Sequence, residues 1–340
     1  MPSGNHQTPR GDDVLRALRD GRGRDLDLRG VDLRNQDLSE VDLAGADLSG
    51  ANLSGAQLTG ADLSDAKLSF CQLHGATLRN AKLGDAELLG SDLSGADLQE
   101  CSAPRAGLGG ACLAGAGLAG ANLSHATLSQ ANAQGAHFQG ASLDGARLRE
   151  CDLSDADFTR ADLSGSDLQK SDIRSACFHD TDLRGASLGG VSGFTAASWL
   201  GADTRDTNFR GAHLVRRHIE DENYLYEFKN QSRASAILYR LWWITSDCGR
   251  SATRWAAFTG LLAVAYALAY CFVAIDFGPN ETILSPLYFS VVTMTTLGYG
   301  DALPVSVTAQ LVVMAEVITG YMALGGLLSV FSTKMARRAE

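Results

Sequence analysis

The sequence has few aromatic residues, few prolines and no surplus of basic residues. Aromatic residues make up 7% of the 340 positions, there are 6 prolines, and the formal net charge is −10. Phosphate binding needs an excess of Lys and Arg, so this charge argues against nucleic acid as a partner. The 7 cysteines include no CxxC pair and lie beside no cluster of histidines. We therefore expect neither a zinc site nor a disulfide framework.

Two further absences concern targeting and catalysis. The chain starts MPSGNHQTPRGDD, which lacks the apolar core of a secretory signal peptide, and we expect the N-terminus to stay in the cytosol. The sequence pairs no nucleophile with a base, and it has neither a phosphate-binding loop nor a cluster of metal-binding residues. We therefore expect a protein that is not an enzyme and that needs no cofactor.

The acidic charge is confined to the first part of the chain. Residues 1–215 hold 19 Lys and Arg against 29 Asp and Glu, whereas residues 216–340 hold 10 of each. All of the net charge therefore lies before position 216. The length of 340 residues allows two or three domains, and the charge belongs to the first part.

Within the first part, an apolar residue recurs at nearly every fifth position. The series starts at Leu28 and Leu33 and runs to Leu188, with one residue inserted between Leu188 and Phe194. It then continues at four positions, namely Trp199, Thr204, Phe209 and Leu214. A period of five fits neither an amphipathic helix nor a strand. It fits a coil that turns a corner once per unit, with one large and one small side chain pointing inward.

This unit resembles the pentapeptide repeat A(D/N)LXX, for example ANLSG at 51–55 and ADLSD at 61–65. The resemblance implies a right-handed quadrilateral β-helix with four units per coil, in the cytosol, over residues 26–215. The ends of such a solenoid need caps, and residues 1–25 are predicted to supply the N-terminal one. Some members of this family are acidic rods that mimic DNA, so a role as an acidic decoy stays open.

Three cysteines occupy the position of the small inward residue in this repeat. They are Cys71, Cys101 and Cys151. Buried free cysteine behaves as a small apolar residue, so we interpret all three as core fillers rather than reactive thiols.

The last part of the chain contains two apolar segments of membrane length. The run from Trp255 to Ile275 has no charge, and the run from Val305 to Thr333 has one, Glu316. At 1.5 Å per residue, the first run spans ~32 Å, enough for a bilayer core of ~30 Å. Residues 251–340 are therefore predicted to form an all-α membrane domain.

Basic residues flank both runs on their outer sides, and the segment between the runs contains none. They are Arg240, Arg250, Arg254, Lys334, Arg337 and Arg338. By the positive-inside rule, both termini are expected on the cytoplasmic side of the inner (plasma) membrane. Residues 216–250 would then be a linker with an amphipathic helix at the membrane interface. The apolar residues that share one face of this helix are Ala234, Ile237, Leu238, Leu241 and Trp242. A soluble cap on the solenoid is the alternative for this helix.

The segment between the two runs carries the strongest functional signal. An apolar stretch from Ser285 to Thr295 is long enough for only half a membrane, and Pro286 suits the start of a helix. It leads into TTLGYGD at 295–301. Non-helical backbone at membrane depth is tolerated only where it is buried in protein or lines a water-filled path. Two glycines separated by one residue let successive carbonyls point the same way.

The motif resembles the filter signature of potassium channels, TTVGYGD, and departs from it only at Leu297. The resemblance implies a re-entrant pore helix followed by a selectivity filter that four subunits share. Carried over, the carbonyls of Thr296, Leu297, Gly298 and Tyr299 would bind K⁺ as the permeant ion. Gly300 would shape the outer mouth, with Thr295 and Asp301 supporting the filter.

The second apolar run contains candidates for a gate and an inner pore. Similar pores carry a hinge glycine where Gly320 stands, and Gly325 is a second candidate. Close packing of small residues is the alternative reading of these glycines. Leu324, Leu328 and Ser332 are spaced to line the inner pore. Glu316, one turn before Gly320, would either set the field near the filter or lie buried against the pore helix.

The sequence as a whole indicates a homotetrameric potassium channel subunit in the lipid bilayer. The repeat rod would serve assembly, localisation or gating, through a protein partner rather than a small ligand. The alternative is a membrane-tethered scaffold or acidic decoy whose pore does not conduct or selects weakly.

Overall fold

The computed structural model describes residues 27–249, 251–279, 281–295, 297–298, 300 and 302–339, with side chains as far as position 332. The chain divides into two compact units, Met1–Tyr224 and Leu225–Glu340, and each is described by itself. The expected N-terminal cap at 1–25 lies outside the described residues.

The first unit is a β-helix with coils of twenty residues. Parallel bridges join residues twenty positions apart, beginning with Asp32 and Asn52, so four five-residue units make one coil. Backbone hydrogen bonds link successive coils, as from the Leu53 N–H to the Gln72 carbonyl at 2.7 Å. The central apolar residues of the units are almost all fully buried. The predicted four-sided β-helix is confirmed.

Each unit turns its corner by the same local geometry. The carbonyl of the central residue accepts the N–H three residues later, as between Leu48 and Ala51 at 2.8 Å. The residue two positions after the central one has a positive φ, for example +66° at Gly55 and +58° at Asp65. Gly, Asn and Asp adopt this left-handed backbone most readily. This preference explains why they are frequent at the corners.

The interior of the β-helix contains a stack of four aromatic rings. Phe138, Phe158, Phe178 and Trp199 lie in sequence, with neighbouring ring centroids 4.8, 5.2 and 4.5 Å apart and the rings nearly parallel. All four side chains are fully buried. Equivalent residues of successive coils are spaced by the inter-strand distance of ~4.8 Å, and this distance brings the rings into contact.

The three cysteines at the small-residue position are also buried in this interior. The thiols of Cys71 and Cys151 donate hydrogen bonds to backbone carbonyls, at 2.9 and 3.0 Å. Burial raises the pKa of both thiols to about 11 and that of Cys101 to about 12. Their interpretation as core fillers is confirmed.

The inserted residue lies after Ser192. The twenty-residue register still holds between Asp172 and Ser192, and it becomes twenty-one between Cys177 and Ser198. Phe194 falls in this widened turn and packs, partly buried, against the core. The insertion therefore enlarges one corner and leaves the stacking of the coils intact.

The five-residue series ends before Leu214, and the prediction that this residue points inward is wrong. Helix α1, His213–Gln231, begins here, and Leu214 is 52% exposed. The same helix buries Val215 and Ile219 against the core of the β-helix. A terminal coil has no next coil to cover its apolar side, and the start of α1 provides that cover.

The second unit is helical. Its elements in chain order are α2 (Arg233–Ser246), α3 (Ala252–Tyr270), β1 (Ile275–Asp276), α4 (Ser285–Met294), β2 (Leu303–Pro304) and α5 (Val307–Ala339). Helices α3, α4 and α5 contact one another pairwise. By length and composition, two segments could cross a membrane, Ala252–Tyr270 and Val307–Ser332.

The first of these helices is displaced from the predicted apolar run. It begins at Ala252 and ends at Tyr270, whereas the run without charges extends to Ile275. Beyond the helix, Ile275 pairs with Pro304 in the antiparallel β1–β2 ladder.

Candidate pore segment

Helix α4 is a ten-residue helix between two longer ones. Pro286 lies in its first turn, where its missing N–H would have no helical partner in any case. Ten residues of helix extend ~15 Å, about half of a bilayer core. Five of its residues are buried against the neighbouring helices: Phe289, Ser290, Val292, Thr293 and Met294.

The chain after α4 is tied to the end of that helix. The Thr295 hydroxyl donates to the Val291 carbonyl at 2.7 Å. The Leu297 N–H donates to the Val292 carbonyl at 3.0 Å. These two bonds fix the point at which the backbone stops being helical.

The two glycines of the TTLGYGD segment both have left-handed backbone. The φ angle is +48° at Gly298 and +77° at Gly300, a region that disfavours any side chain. Leu297 is 59% exposed in the single chain. Three further predicted residues, Thr296, Tyr299 and Asp301, lie outside the described residues.

A small ladder and an aromatic cluster lie beside this segment. Strand β2 follows it directly and pairs with β1, which joins the chain after the segment to the chain after α3. Phe289 of α4 contacts the ring of Tyr270 at 5.1 Å and that of Phe277 at 6.1 Å between centroids. These contacts could not be predicted from the sequence, because the residues come from three separate parts of the chain.

A cleft of about 300 Å³ opens between α4, the glycine segment and α5. Gly298, Gly300 and Thr293 contribute to one side, and Val313 and Tyr321 of α5 to the other. In a single chain, the glycine segment therefore packs against protein on one side and faces the open cleft on the other.

Helix α5 runs without a break past both glycines proposed as hinges. A Cβ at Gly320 would lie 2.7 Å from the carbonyl oxygen of Met294, whereas at Gly325 it would meet nothing within 4 Å. Leu324, Leu328 and Ser332 are all exposed and repeat at every fourth residue. Gly320 thus marks a close approach of α5 to α4, and Gly325 lies in open space.

Glu316 is completely buried among the helices. The hydroxyl groups of Tyr270 on α3 and Ser290 on α4 each contact one of its carboxyl oxygens. Of the two roles considered for Glu316, burial against α4 is the one that the structure shows. Sequence reasoning missed Ser290 and Tyr270, although a serine within an otherwise apolar half-length helix is a detectable signal.

Trp255, near the start of α3, makes a second contact with α5 that the sequence did not reveal. Its indole N–H donates to the Ala323 carbonyl at 2.8 Å. A Cβ at Gly326 would overlap the indole ring, so the absence of a side chain there lets the two helices meet.

Two family models match separate parts of the chain. Residues 27–65, 71–106, 111–149 and 151–190 match pentapeptide repeats, in eight copies. Residues 258–337 match the ion channel family. Neither domain is that of an enzyme.

Plant potassium channels are similar to the second part. Two pore potassium channel b of Oryza sativa subsp. japonica is 41% identical over 87 residues, 24% of this chain and 25% of that protein. Two-pore potassium channel 1 of Arabidopsis thaliana is 32% identical over 97 residues, 28% of this chain and 27% of that protein. The chain thus spans about a quarter of the length of these curated relatives.

The first part resembles a solved structure. HetL, a pentapeptide repeat protein involved in heterocyst differentiation regulation in the cyanobacterium Nostoc sp. strain PCC 7120, is 33% identical, with a TM-score of 0.51. The match covers 52% of this chain and 80% of HetL. The chain therefore belongs to the pentapeptide-repeat family, and its last part is an ion-channel domain similar to those of potassium channels.

Proposed function

We propose that four copies of this chain form a potassium-selective channel, with the TTLGYGD segments arranged around a common axis. The observation that carries the proposal is the half-length helix α4, held between two helices of membrane length and leading into two left-handed glycines. Irregular backbone at this depth needs either protein around it or a water-filled path beside it. The similarity to potassium channels supports the proposal that this path conducts K⁺.

In this proposal the backbone replaces the water around the ion. Carbonyl groups of Thr296, Leu297, Gly298 and Tyr299 from each chain would coordinate K⁺ in place of its hydration shell. Gly298 and Gly300 supply the left-handed backbone that turns neighbouring carbonyls toward one side. No resident cofactor is needed, since the ion is the cargo.

A homotetramer in a bilayer would also account for the exposed apolar side chains of α5. Leu311, Met314, Ile318, Tyr321 and Met322 are each at least 60% exposed in the single chain. Such a surface requires lipid or neighbouring subunits to cover it. Both the tetramer and the bilayer are part of the proposal.

Orientation and the role of the repeats complete the proposal. Both termini would be cytoplasmic at the inner (plasma) membrane, so the β-helix would be a cytosolic rod that acts in assembly, localisation or gating. Its solid core argues for a protein partner rather than a small ligand. Helix α2 would lie at the membrane interface, since Ile237, Leu238 and Leu241 are exposed.

Ion flux from liposomes that hold the purified full-length protein tests the proposal. We expect K⁺ efflux to exceed Na⁺ efflux, and Gly298→Ala to abolish it, because a Cβ is strained at a φ of +48°. Gly260→Ala is the matched control, since a Cβ there meets nothing within 4 Å. No flux from a folded tetramer would contradict conduction and favour a scaffold, and equal K⁺ and Na⁺ flux would contradict selectivity.

Deletion of residues 1–214 tests the rod. Flux that rises after the deletion would show that the rod restrains the pore. Unchanged flux per assembled tetramer, together with a lower yield of tetramers or altered localisation, would assign the rod to those roles instead.

A further inference from the structure

Glu316 joins three helices through one carboxyl group. Its Oε2 contacts the hydroxyl of Tyr270, the last residue of α3, and its Oε1 contacts the hydroxyl of Ser290 in α4. The Ser290 hydroxyl also lies 2.9 Å from the Ala263 carbonyl of α3. Every one of these side chains is buried, so the cluster faces neither the cleft nor the outer surface of the unit.

The cluster lies in register with the close approach of Gly320 to Met294. Glu316 and Gly320 are four residues apart on α5, and their partners Ser290 and Met294 are four residues apart on α4. Residues at this spacing lie on one helical face. One face of α5 therefore contacts α4 at two points. It forms hydrogen bonds with the middle of α4 and packs against the backbone at the end of α4.

Helices α3 and α4, which supply the partners of Glu316, are described in full and offer no cation that could pair with it if it were ionised. Helices α3 and α4 contain a single charged residue, Arg254, whose guanidinium lies 3.8 Å from Asp247 near the other end of α3. A buried charge without a partner is strongly disfavoured, and such a group becomes neutral instead.

The number of donors in the cluster also favours a neutral carboxyl. The cluster has three short contacts, from Ser290 to Ala263, from Ser290 to Glu316 and from Tyr270 to Glu316. Each hydroxyl can donate only one hydrogen, so the two hydroxyls satisfy two contacts. A carboxyl that carries its own proton donates to the Ser290 oxygen and satisfies the third.

We propose that Glu316 is a positioning residue of the pore, whose neutral carboxyl fixes α4 to both spanning helices and thereby holds the glycine segment in its conducting shape. The inference rests on the proposed channel function. Its physical reason is that α4 ends at the glycine segment, so any rotation or slide of α4 displaces the carbonyls that would bind the ion.

Two substitutions at position 316 separate the hydrogen bonds from packing. The amide of Glu316→Gln has both a donor and an acceptor, like a neutral carboxyl, and should preserve the cluster. Glu316→Met keeps the length of the side chain and removes both polar groups. Ser290→Ala removes the partner on α4, and Gln310→Met, at an exposed position of α5, is the control for adding a methionine.

The rate of amide hydrogen exchange over residues 285–295 measures how firmly α4 is held in place, and this measurement does not depend on ion flux. We expect exchange in Glu316→Met and Ser290→Ala to be faster by about tenfold, the factor expected from the loss of one buried hydrogen bond. Glu316→Gln and Gln310→Met should exchange like the parent protein. The double variant Glu316→Met/Ser290→Ala should exchange more slowly than the two single effects combined would predict, since both changes break the contact between Ser290 and Glu316.

The ratio of K⁺ to Na⁺ flux then tests the effect on the pore. We expect this ratio to fall in Glu316→Met and to be restored in Glu316→Gln. Unchanged exchange in Glu316→Met, or loss of protection in a folded Glu316→Gln, would overturn the inference, as would unchanged selectivity when α4 is loosened. A parent protein without selective flux would overturn the conducting role, together with the proposed function, whereas the exchange data would still decide whether Glu316 holds α4.

Discussion

Gly320 and Met294 approach so closely that a Cβ on the glycine would lie 2.7 Å from the carbonyl oxygen of the methionine. Real Cβ atoms essentially never come so near, and the atom in the way belongs to the backbone, which cannot rotate aside. Gly320 is thus the residue that lets α5 contact the end of α4. A glycine that allows close packing and a glycine that acts as a hinge should respond differently to substitution.

We expect Gly320→Ala to destabilise the helical unit, by about 1–3 kcal/mol as for other overpacked cores. Gly325→Ala is the matched control on the same helix. A Cβ there meets nothing within 4 Å, and alanine favours a helix over glycine by about 1 kcal/mol. Thermal unfolding of the two variants in the same detergent measures the difference. Equal stability of the two variants would contradict close packing at Gly320.

The contact between Trp255 and α5 predicts compensation between two substitutions. Gly326→Ala should destabilise the unit because the new Cβ overlaps the indole. Trp255→Phe should relieve part of this overlap, at the expense of the hydrogen bond to Ala323. We therefore expect the double variant to be more stable than the sum of the two single effects, by about 0.5–3 kcal/mol for residues in direct contact. Additive effects would show that Trp255 and Gly326 do not interact.

The aromatic stack predicts a local weak point in the β-helix when one ring is removed. Phe158→Ala should lower the stability of the first unit by about 3–5 kcal/mol, the range for a buried phenylalanine. Phe70→Ala removes the same side chain at a position that is 66% exposed, and it should have a far smaller effect. Urea unfolding of the full-length protein, monitored by the far-ultraviolet circular dichroism signal of the β-helix, compares the two variants. A larger effect at Phe70 would contradict the assignment of the stack to the core.

Buried thiols in the β-helix should resist alkylation. Burial raises the pKa of Cys71 and Cys151 to about 11, so at pH 8 the reactive thiolate is a small minority in addition to being inaccessible. N-ethylmaleimide should modify these cysteines only after denaturation, as intact mass and peptide mapping would reveal. The partly exposed Cys112, in the same β-helix, is the internal control. Rapid labelling of Cys71 in the native protein would contradict a closed core.

Acid should weaken the β-helix through its aspartates. The Asp203 carboxylate accepts hydrogen bonds from the side chain and the backbone N–H of Arg205, and the first of these contributes most to lowering its pKa from 3.8 to about 2. A group whose pKa is lower in the folded state stabilises that state above the unfolded pKa, and the stabilisation is lost as pH falls toward the folded value.

We therefore expect the unfolding temperature of the first unit to be steady above pH 5 and to drop between about pH 4 and pH 2. Asp203→Asn should reduce the size of this drop. The Asp203 side chain is 32% exposed, so solvent screens its ion pair and its individual share is small. A transition that is independent of pH over this range would contradict the role of the carboxylates.

Periodicity in the sequence predicted a coil that turns a corner once per unit, and the resemblance to the pentapeptide repeat implied the four-sided β-helix. The five-residue spacing, the small residue two positions earlier and the frequent Gly and Asp at the corners depend only on local geometry and on neighbouring coils. The prediction failed at Leu214, where the chain leaves the repeat. Nothing in the local pattern distinguishes a further repeat unit from the first turn of the helix that covers the end of the core.

In the second part, the sequence by itself determined two helices of membrane length, the half-length helix and the glycine segment, because hydrophobic length and turn chemistry are local properties. Only the tertiary structure decided that Glu316 faces Ser290 and Tyr270, that Gly320 approaches Met294, and that Trp255 reaches Ala323. These partners lie between 26 and 68 residues apart in the chain. Their contacts depend on how three helices pack, and no periodicity within one helix encodes the rotation of another.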